Sequence, residues 1–364
     1  LVIAYDTPSY HGLDPTMIMF FTMPLIFGMM FGDFGHGLIL LIGGLLIKPI
    51  FERLKIPREH MLYALYQGRN LIIACGITSM VFGFLYGECF GPVWHTHWPH
   101  GPHHWEPNPH NPVTPIMAPL MEAIVGRPGP PWFCPFAVTP EVNGPLFMLK
   151  VALVFGMVHI TFGILLDLAV CIANKEYKEA LAPISWLVFY FGLATIFLIA
   201  IFGRYIGPLV GQDLSEMGAR VNFILQPTVL VPCFVIPFAF LLGAHFLIAH
   251  PMEALAEGLM KAVESLSHTF SYCRILALAL AHAIFSDLAI MGYFEGVTPF
   301  KPDTAPLYWM TFFLTTIFII IALESILTFA HTLRLHWVEW FSKYYKGGGR
   351  PFQGFTIRRR FTIA

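Results

Sequence analysis

The sequence predicts an all-α integral membrane protein in which eight helices cross the bilayer. Of its 364 residues, 56% are hydrophobic and 12% are charged, which is about half the charge of an ordinary globular domain. The mean hydropathy is +0.67. A helix that spans the hydrocarbon layer needs about 20 mostly apolar residues, and eight segments meet this requirement. One membrane-embedded body covering residues 1–364 is therefore the expected domain organisation.

Composition and motifs exclude several functions. The 21 basic and 22 acidic residues nearly cancel, so no bulk positive field attracts nucleic acid, and no nucleic-acid partner is expected. Six cysteines in a chain of this length do not suit a secreted disulfide scaffold. The sequence has no glycine-rich phosphate loop ending in Lys-Ser or Lys-Thr, so neither ATP binding by that route nor a cofactor is expected. The chain opens without a basic leader region, and no cleavable signal peptide is expected.

The predicted spans differ in length. They lie near 16–32, 35–51, 70–88, 146–172, 184–204, 227–249, 258–293 and 305–345. The first two form a helical hairpin that is broken by the glycine-rich turn at 32–37. The last two are too long to cross perpendicular to the membrane, so each is expected to be tilted or to continue beyond the bilayer.

The basic residues predict the orientation. Fourteen of them fall on one side of the predicted membrane and four on the other, while Lys150, Arg274 and Arg334 lie within spans. The positive-inside rule then places both termini in the cytosol. Residues 346–364 form a basic cytosolic tail, and the long connection 89–145 lies on the opposite, lumenal side.

That connection is rich in proline and histidine, and two interpretations of it stay open. Its histidines are His95, His97, His100, His103, His104 and His110. Such a run could coordinate a transition metal, but no Cys or carboxylate spacing accompanies it, and a solvated loop without metal is favoured. Cys89 and Cys134 flank the same loop and could pair in an oxidising compartment.

The seventh span carries one permanent positive charge. Ser267, Ser271 and Arg274 recur on one helical stripe, and an ionisable group in hydrocarbon is a functional hypothesis by default because it costs about 3 kcal/mol or more. Arginine stays protonated in proteins. It can hold a passing carboxylate ionised, but it cannot itself release a proton. The alternative is a structural arginine paired with Glu264 or Glu324.

The eighth span adds titratable groups. Glu324 and His331 are seven residues apart, which places them about 20° from the same face and about 10 Å apart along the axis. Arg334 lies one turn beyond His331. Together with nearby hydroxyls these groups supply steps for a proton relay, provided that water bridges the gaps. For Arg334 and His336 the alternative is anchoring at the membrane interface.

Polar residues at other positions have plainer alternatives. Asp33 and His36 flank glycines in the first hairpin, and a polar turn at the membrane face is favoured over a direct part in transport. Glu88 ends the third span and could line an exit path or cap the helix at the interface. His159 and His245 are single histidines in apolar spans and are interpreted as buried hydrogen-bonding residues.

Four sequence runs resemble one known family. Residues 271–282 and 333–339 closely resemble the membrane half of subunit a of the vacuolar-type proton-translocating ATPase (subunit I in prokaryotic relatives). Residues 31–37 resemble the first-hairpin signature of that family, and residues 83–88 resemble the end of its third span. These similarities run from about residue 20 to 346 and follow the order of the family's eight-helix membrane domain.

The resemblance implies a stator facing a rotating ring of proteolipid subunits, each with one lipid-exposed carboxylate. The seventh and eighth spans match the two tilted helices that face this ring. Arg274 matches the essential arginine that separates two aqueous half-channels, and Arg334 matches a supporting arginine. Glu324, His331 and His282 fall at positions that the family associates with proton access or ring contact. Other membrane-sector subunits, peripheral-stalk subunits and lipid are the further implied partners.

The chain departs from the family's pattern in two respects. The eukaryotic pattern commonly has Glu fourteen residues before the essential arginine, where this chain has Met260; its acid is Glu264, as prokaryotic relatives often show. The large cytosolic N-terminal half of the family is absent from these 364 residues.

The predicted function is therefore a non-catalytic, proton-conducting stator of a rotary ATP-driven proton pump, in a vacuolar or other endomembrane of a eukaryote. ATP would be hydrolysed by other subunits. The alternative is a stand-alone secondary transporter of protons or a metal ion. Such transporters often contain inverted repeats, and no repeat is visible here. A structural membrane anchor is a third interpretation, and it would tolerate neutralising Arg274 and Glu324.

Overall fold

A computed structural model describes residues 2–9, 12–54, 63–96, 105–108, 111–131, 144–210, 212–214, 216–248, 251–291 and 305–349. Across these ranges the regular structure is helical apart from one two-stranded antiparallel sheet. The prediction of an all-α membrane protein is confirmed.

Ten helices longer than one turn carry the fold of the described residues. They are α1 (Thr16–Met30), α2 (Phe34–Leu54), α3 (Tyr63–Tyr86), α4 (Thr114–Val125), α5 (Gly144–Ala173), α6 (Leu181–Val210), α7 (Met217–Leu225), α8 (Pro227–Leu230, Val231–Val235 and Ile236–Ile248 in succession), α9 (Pro251–Ser271 and Cys273–Met291) and α10 (Ala305–Leu314, Thr315–Glu324, Ser325–Arg334, Leu335–Phe341 and Ser342–Tyr344).

Seven of the described helices are long and apolar enough to cross a membrane, and they correspond to the second to eighth predicted spans. The first predicted span is α1, an apolar helix of 15 residues, which is shorter than the roughly 20 residues that a perpendicular crossing needs. Its crossing stays a prediction.

The last two spans are unusually long. They cover Pro251–Ile290 with 40 residues and Pro306–Tyr344 with 39 residues. At about 1.5 Å per residue each is about 60 Å long, roughly twice the hydrocarbon thickness. Each must therefore tilt or project beyond the bilayer, as predicted.

Both long helices depart from regular α-helix next to their charged residues. In α9 the N–H of Tyr272 bonds to the carbonyl of Thr269, and the N–H of Ile275 bonds to that of Tyr272, so the helix tightens beside Arg274. In α10 the segments Thr315–Glu324 and Leu335–Phe341 are π-helical. Such segments are frequent at functional sites because they re-aim side chains.

Close backbone approaches hold the first three helices together. A Cβ at Gly37 of α2 would meet the backbone at Met80 of α3, and one at Gly28 of α1 would meet the backbone at Thr78 of α3. Small residues of this kind let helices pack tightly in lipid, where no hydrophobic effect drives them together. The bundle of α1, α2 and α3 thereby fixes the turn that carries Asp33.

Helix α5 supports the two long helices at their irregular segments. Gly156 of α5 faces the ring of Tyr272, and Gly163 faces the ring of Trp340. Both rings are fully buried. The main apolar core joins α5 to α6 and α9 through Ile160, Phe189 and Ile275. The charged segments of α9 and α10 therefore pack against this core.

The described part of the long connection after α3 is more ordered than a solvated loop. It contains α4 and a hairpin of β1 (Trp94–Thr96) with β2 (Trp105–Pro107), in which His95 pairs with Glu106. The remaining histidines of the run, His97, His100, His103, His104 and His110, lie outside the described residues, as does Cys134. Metal binding by the run and pairing of Cys89 with Cys134 therefore stay predictions.

Candidate functional site

Helices α9 and α10 form the walls of an open cleft that contains both predicted arginines. The cleft has a volume of about 500 Å³ and is lined by Ser267, His268, Phe270, Ser271, Cys273, Arg274, Ala277, Arg334, Val338 and Glu339. Arg334 is exposed and the side chain of Arg274 is 24% exposed. A group carried by another molecule can therefore reach these charges from outside the chain.

Arg274 is paired inside the chain with a residue to which sequence reasoning gave no role. Its Nη2 donates to Oε1 of Glu339 at 3.2 Å and also to the hydroxyl of Ser271, which in turn donates to Glu339. Glu339 is buried on α10. Glu264 and Glu324 have other partners, so the neighbour that pairs with Arg274 is Glu339, and a purely structural arginine stays the alternative.

Toward the C-terminal end of α10 lies a charged group that we call the tail-side cluster: Glu264, His268 and Lys343. Lys343 Nζ donates to Glu264 Oε1 at 2.8 Å and lies 2.7 Å from Nδ1 of His268. Lys261 approaches the other oxygen of Glu264 at 3.4 Å. The ring of Trp186 lies 4.5 Å from Lys343 Nζ, a distance that permits a cation–π contact.

Lys343 is one of the fourteen basic residues that the predicted topology counts on the cytosolic side. It is a buried residue of α10, with a side chain that is 0% exposed. Its charge is matched by Glu264, as buried charges generally require.

A second polar group, the hairpin-side cluster, consists of Asp33, His36, His282 and Glu324. His282 Nδ1 lies 3.0 Å from Glu324 Oε1, and His36 Nδ1 lies 3.2 Å from Asp33 Oδ2. The rings of His36 and His282 are 5.4 Å apart between centroids. All four residues are buried, so the structure brings together groups from three separate predicted spans and the turn between two of them.

Asp33 belongs to a polar turn, as predicted, but that turn is buried inside the helical bundle. The carboxylate accepts the backbone N–H groups of His36, Phe90 and Gly91 at 2.8–3.0 Å. Three fixed donors orient the carboxylate, and they tie the α1–α2 turn to the chain that follows α3.

Glu88 lies beside this turn. Its carbonyl accepts the N–H of Phe34 at 3.0 Å, and its side chain is 1% exposed. The Oε1 atom has no hydrogen-bond partner among the described residues. A buried carboxylate oxygen without a partner is costly, so Glu88 is not a solvated interfacial cap.

The other predicted residues of α10 differ in how deeply they are buried. Glu324, Thr328, Thr332 and His336 are all buried, so the buried side recurs every four residues. His331 is half-buried and lies within electrostatic reach of Arg274 and Arg334. Glu324 and His331 therefore differ in burial, although both lie near residues of α9, and their place on one face stays a prediction.

Three single histidines are buried hydrogen-bonding residues. His159 Nδ1 lies 2.7 Å from the hydroxyl of Tyr272, and His245 Nδ1 lies 2.9 Å from the carbonyl of Leu241, which confirms their interpretation. His336 is fully buried, 2.8 Å from the hydroxyl of Thr22. The alternative that His336 is an interface anchor is wrong.

The two clusters lie on opposite sides of Arg274 along α9. Glu264 precedes Arg274 by ten residues and His282 follows it by eight, which correspond to about 15 Å and about 12 Å of helix. Between them the arginine, Ser271 and Glu339 occupy the cleft. Polar and charged residues therefore lie on both sides of the arginine along the helix.

The sequence profile of the V-type ATPase 116 kDa subunit family matches residues 1–114 and 261–357. This chain belongs to that family. The matched ranges contain every residue of the tail-side and hairpin-side clusters, together with Arg274, Arg334 and Glu339. The unmatched middle contributes α5 and α6, which support those residues from behind.

Curated relatives agree with this family membership. The chain is 27% identical to A-type ATP synthase subunit I of Archaeoglobus fulgidus over 99% of its length and 52% of the relative. It is 25% identical to the vacuolar proton translocating ATPase 100 kDa subunit of Dictyostelium discoideum, with 99% and 51% covered. For human V-type proton ATPase 116 kDa subunit a 2 the identity is 24%, with 98% and 54% covered. The chain thus spans about half the length of the curated relatives that it matches.

Proposed function

We propose that the chain is the proton-conducting, non-catalytic stator subunit in the membrane sector of a rotary ATP-driven proton pump. The placement of two polar clusters, one buried and one partly buried, on opposite sides of Arg274 carries this proposal. One continuous polar route would let protons leak down their gradient. Two half-routes that meet only at a moving carboxylate conduct protons only when that carboxylate moves.

The relatives support a subunit role and not a complete enzyme. Those that match are subunits of A-type and V-type ATPases by name. This sequence has no phosphate loop, and we assign ATP hydrolysis to other subunits of the complex.

The first half-route runs from the tail-side cluster to the cleft. Basic residues predominate at the end of the bundle where Lys343 lies, so the positive-inside rule favours the cytosol on this side, with both chain termini. Protons would enter near Glu264 and His268. Ser271 and Glu339, which are hydrogen-bonded to each other, then lead to Arg274.

Arg274 supplies a fixed positive charge where the two half-routes meet. A carboxylate that arrives in the cleft loses its proton there, because an adjacent guanidinium favours the ionised form. Arginine keeps its own proton, so no proton passes through it. The ionised carboxylate can leave the cleft only after it receives a proton from one of the half-routes.

The second half-route runs through the hairpin-side cluster. Imidazoles accept and release protons near neutral pH, and His282 lies between Glu324 and His36. Glu88 and Asp33 extend the buried polar region toward the long connection after α3. We assign this side to proton release into the lumen.

The carboxylate that exchanges protons must come from a partner. Among the described residues the carboxylate paired with Arg274 is Glu339, which is 2% exposed. The cleft is bordered by exposed apolar side chains of both long helices, including Phe270 and Val338. Such a surface suits a ring of apolar proteolipid helices that each carry one lipid-facing carboxylate. Membrane-sector and peripheral-stalk subunits and lipid complete the proposed surroundings.

Archaeal and eukaryotic relatives match over nearly the whole chain. The proposal therefore applies to either kind of membrane, and location in a eukaryotic endomembrane stays a prediction.

The deciding experiment compares Arg274→Ala with Arg53→Ala in membrane vesicles that contain the complete complex. Arg53 is an exposed arginine of α2 and serves as the matched control. We expect Arg274→Ala to abolish ATP-driven acidification, followed with a pH-sensitive dye, while ATP hydrolysis persists. The control keeps both activities. Normal acidification by Arg274→Ala would overturn the proposal and would favour a structural anchor.

Purification in mild detergent separates the stator from a stand-alone transporter. Isolation together with a small proteolipid ring supports the stator. A monomer that binds a substrate by itself would support the transporter instead.

A further inference from the structure

The hairpin-side cluster contains three residues whose donor atoms converge. Asp33, His36 and His282 each offer one nitrogen or oxygen, and these atoms all lie within 4.8 Å of one another. They come from the α1–α2 turn, the first turn of α2 and the middle of α9, and all three are at most 1% exposed. The fold therefore brings two imidazoles and a carboxylate to one point in its interior.

His36 has unused hydrogen-bonding capacity at this point. Neither of its ring nitrogens has a hydrogen-bond partner among the described residues, because the approach of Nδ1 to Asp33 at 3.2 Å lacks hydrogen-bond geometry. A buried polar atom without a partner costs about 1–3 kcal/mol. Nδ1 is within ion-pair distance of Asp33, and Nε2 is a buried nitrogen without a hydrogen-bond partner, so the ring has a free position for a ligand.

The other two residues are held as metal ligands usually are. His282 Nδ1 is hydrogen-bonded to Glu324 Oε1 at 3.0 Å, and its Nε2 has only a long contact of 3.4 Å to the hydroxyl of Ser286. A carboxylate on one nitrogen fixes the ring and raises the basicity of the other nitrogen, as is common for histidines that bind metal ions. The carboxylate of Asp33 is fixed by three backbone N–H groups.

The local charge favours a cation. Asp33, Glu324 and Glu88 are buried close together, and Asp33 and Glu324 pair with histidine only. The described residues supply no lysine or arginine ion pair to these three carboxylates. A divalent cation would offset this charge at a lower cost than leaving it buried and unmatched.

We propose that Asp33, His36 and His282 bind a divalent transition-metal ion, for which Zn²⁺ is the best match. Two imidazoles and one carboxylate form a ligand set that suits zinc, with a fourth position for water or Glu88. Ligand atoms bound about 2.1 Å from a tetrahedral ion lie about 3.4 Å apart. The present spacing therefore requires a closure of at most about 1.4 Å.

Metal binding would have a consequence for transport, and this consequence rests on the proposed function. The ion would occupy the nitrogens of His36 and His282 that carry protons in the second half-route. Zn²⁺ on the hairpin side would then inhibit pumping. Binding itself does not depend on proton transport and is measured separately.

The test uses the complete complex, purified through a tag without histidine. The six histidines of the run 95–110 are first replaced by Asn, so that the run cannot bind the added metal. Zn²⁺ binding is then measured by equilibrium dialysis and metal analysis for this background, for the background with His36→Gln, and for the background with His245→Gln. His245 is a buried histidine that bonds to its own helix, and it controls for the loss of one buried imidazole.

We expect His36→Gln to bind one Zn²⁺ fewer per copy of this chain, or to bind it at least tenfold more weakly, while His245→Gln matches the background. Equal binding by the background and His36→Gln would overturn the proposal. His36→Gln could also lose Zn²⁺ by misfolding, so the ligands of the bound Zn²⁺ are identified by X-ray absorption at the zinc edge. The spectrum of the ion lost on substitution is obtained as the difference between the background and His36→Gln. It should show two imidazoles and oxygen, and a sulfur ligand would overturn the proposal.

Pumping assays separate this proposal from the proposed function. If the background complex binds Zn²⁺ at this site and its pumping is unaffected, the metal site stands and the second half-route is wrong. If no Zn²⁺ binds and Arg274→Ala still abolishes pumping, the metal site is wrong and the stator stands.

Discussion

Oε1 of Glu339 lies 3.2 Å from Nη2 of Arg274, although Glu339 belongs to α10 and Arg274 to α9. This pair balances the arginine charge within the chain, while Nη1 has no hydrogen-bond partner among the described residues. Because a guanidinium presents several donors in a rigid fork, Arg274 can hold a second carboxylate without first releasing Glu339. Glu339 then limits how tightly that second carboxylate is bound.

Replacing Glu339 with Gln should slow pumping. The amide removes the competing negative charge, so a visiting carboxylate binds Arg274 more tightly and leaves more slowly. We expect the rate of ATP-driven proton pumping to fall at least threefold, with the rate of ATP hydrolysis falling alongside it in the same vesicles. Glu257→Gln, at an exposed position of α9, is the control and should leave both rates unchanged. An unchanged pumping rate for Glu339→Gln would mean that the pair is only structural.

Substitutions of Lys343 and Glu264 should have strongly coupled effects on the free energy of unfolding. Removing one partner of a buried ion pair costs about 3–5 kcal/mol because the other charge is left unmatched, and the partial exposure of Glu264 reduces this cost to about 2–3 kcal/mol. Lys343→Met alone should therefore destabilise the protein more than Lys343→Met combined with Glu264→Gln. Thermal unfolding in detergent of both single variants and the double variant measures the coupling. Additive effects would show that the two charges act independently.

His282 and Glu324 should behave as one unit in transport. Their side chains are hydrogen-bonded at 3.0 Å and buried, so removing either group interrupts the same proton step. We expect His282→Gln and Glu324→Gln each to lower the pumping rate about tenfold or more, and the double variant to be no slower than the slower single variant. Ser286→Ala, which loses only a contact of 3.4 Å, is the control and should pump at a near-normal rate. Multiplicative losses in the double variant would place the two residues in separate steps.

The helical architecture and the position of Arg274 within a long apolar helix were predictable from the sequence for physical reasons. A hydrocarbon layer demands apolar runs of fixed length, so the boundaries of α2, α5 and α6 follow from composition alone. The link between Ser271 and Arg274 was also predictable, because residues three apart are neighbours on a helix. Each of these predictions needs only the sequence of one helix.

Contacts between helices were not predictable in the same way. Periodicity gives the face of a helix, but it does not give the register of α9 against α10, and that register places Glu339 beside Arg274 and Lys343 beside Glu264. The π-helical turns of α10 also change the rotation per residue. A prediction of which residues share a face, made for a regular α-helix, is therefore less accurate there. The resemblance of residues 333–339 to a known family was the available signal for Glu339, and it carried no role for that residue.

The position of Asp33 depends on a close approach at Gly83, which supplies a final prediction. A Cβ on Gly83 of α3 would overlap the backbone of Asp33 and Phe34. Because backbone atoms cannot move away as a flexible side chain can, Gly83→Ala should push α3 from the α1–α2 turn. It should also break the hydrogen bonds from Phe90 and Gly91 to Asp33. Gly68→Ala, on the same helix with open space around it, should be neutral or stabilising by up to about 1 kcal/mol. Thermal unfolding and recovery of the assembled complex would compare the two variants. Equal stability of Gly83→Ala and Gly68→Ala would show that the turn does not need this contact, and that Asp33 is held by its hydrogen bonds alone.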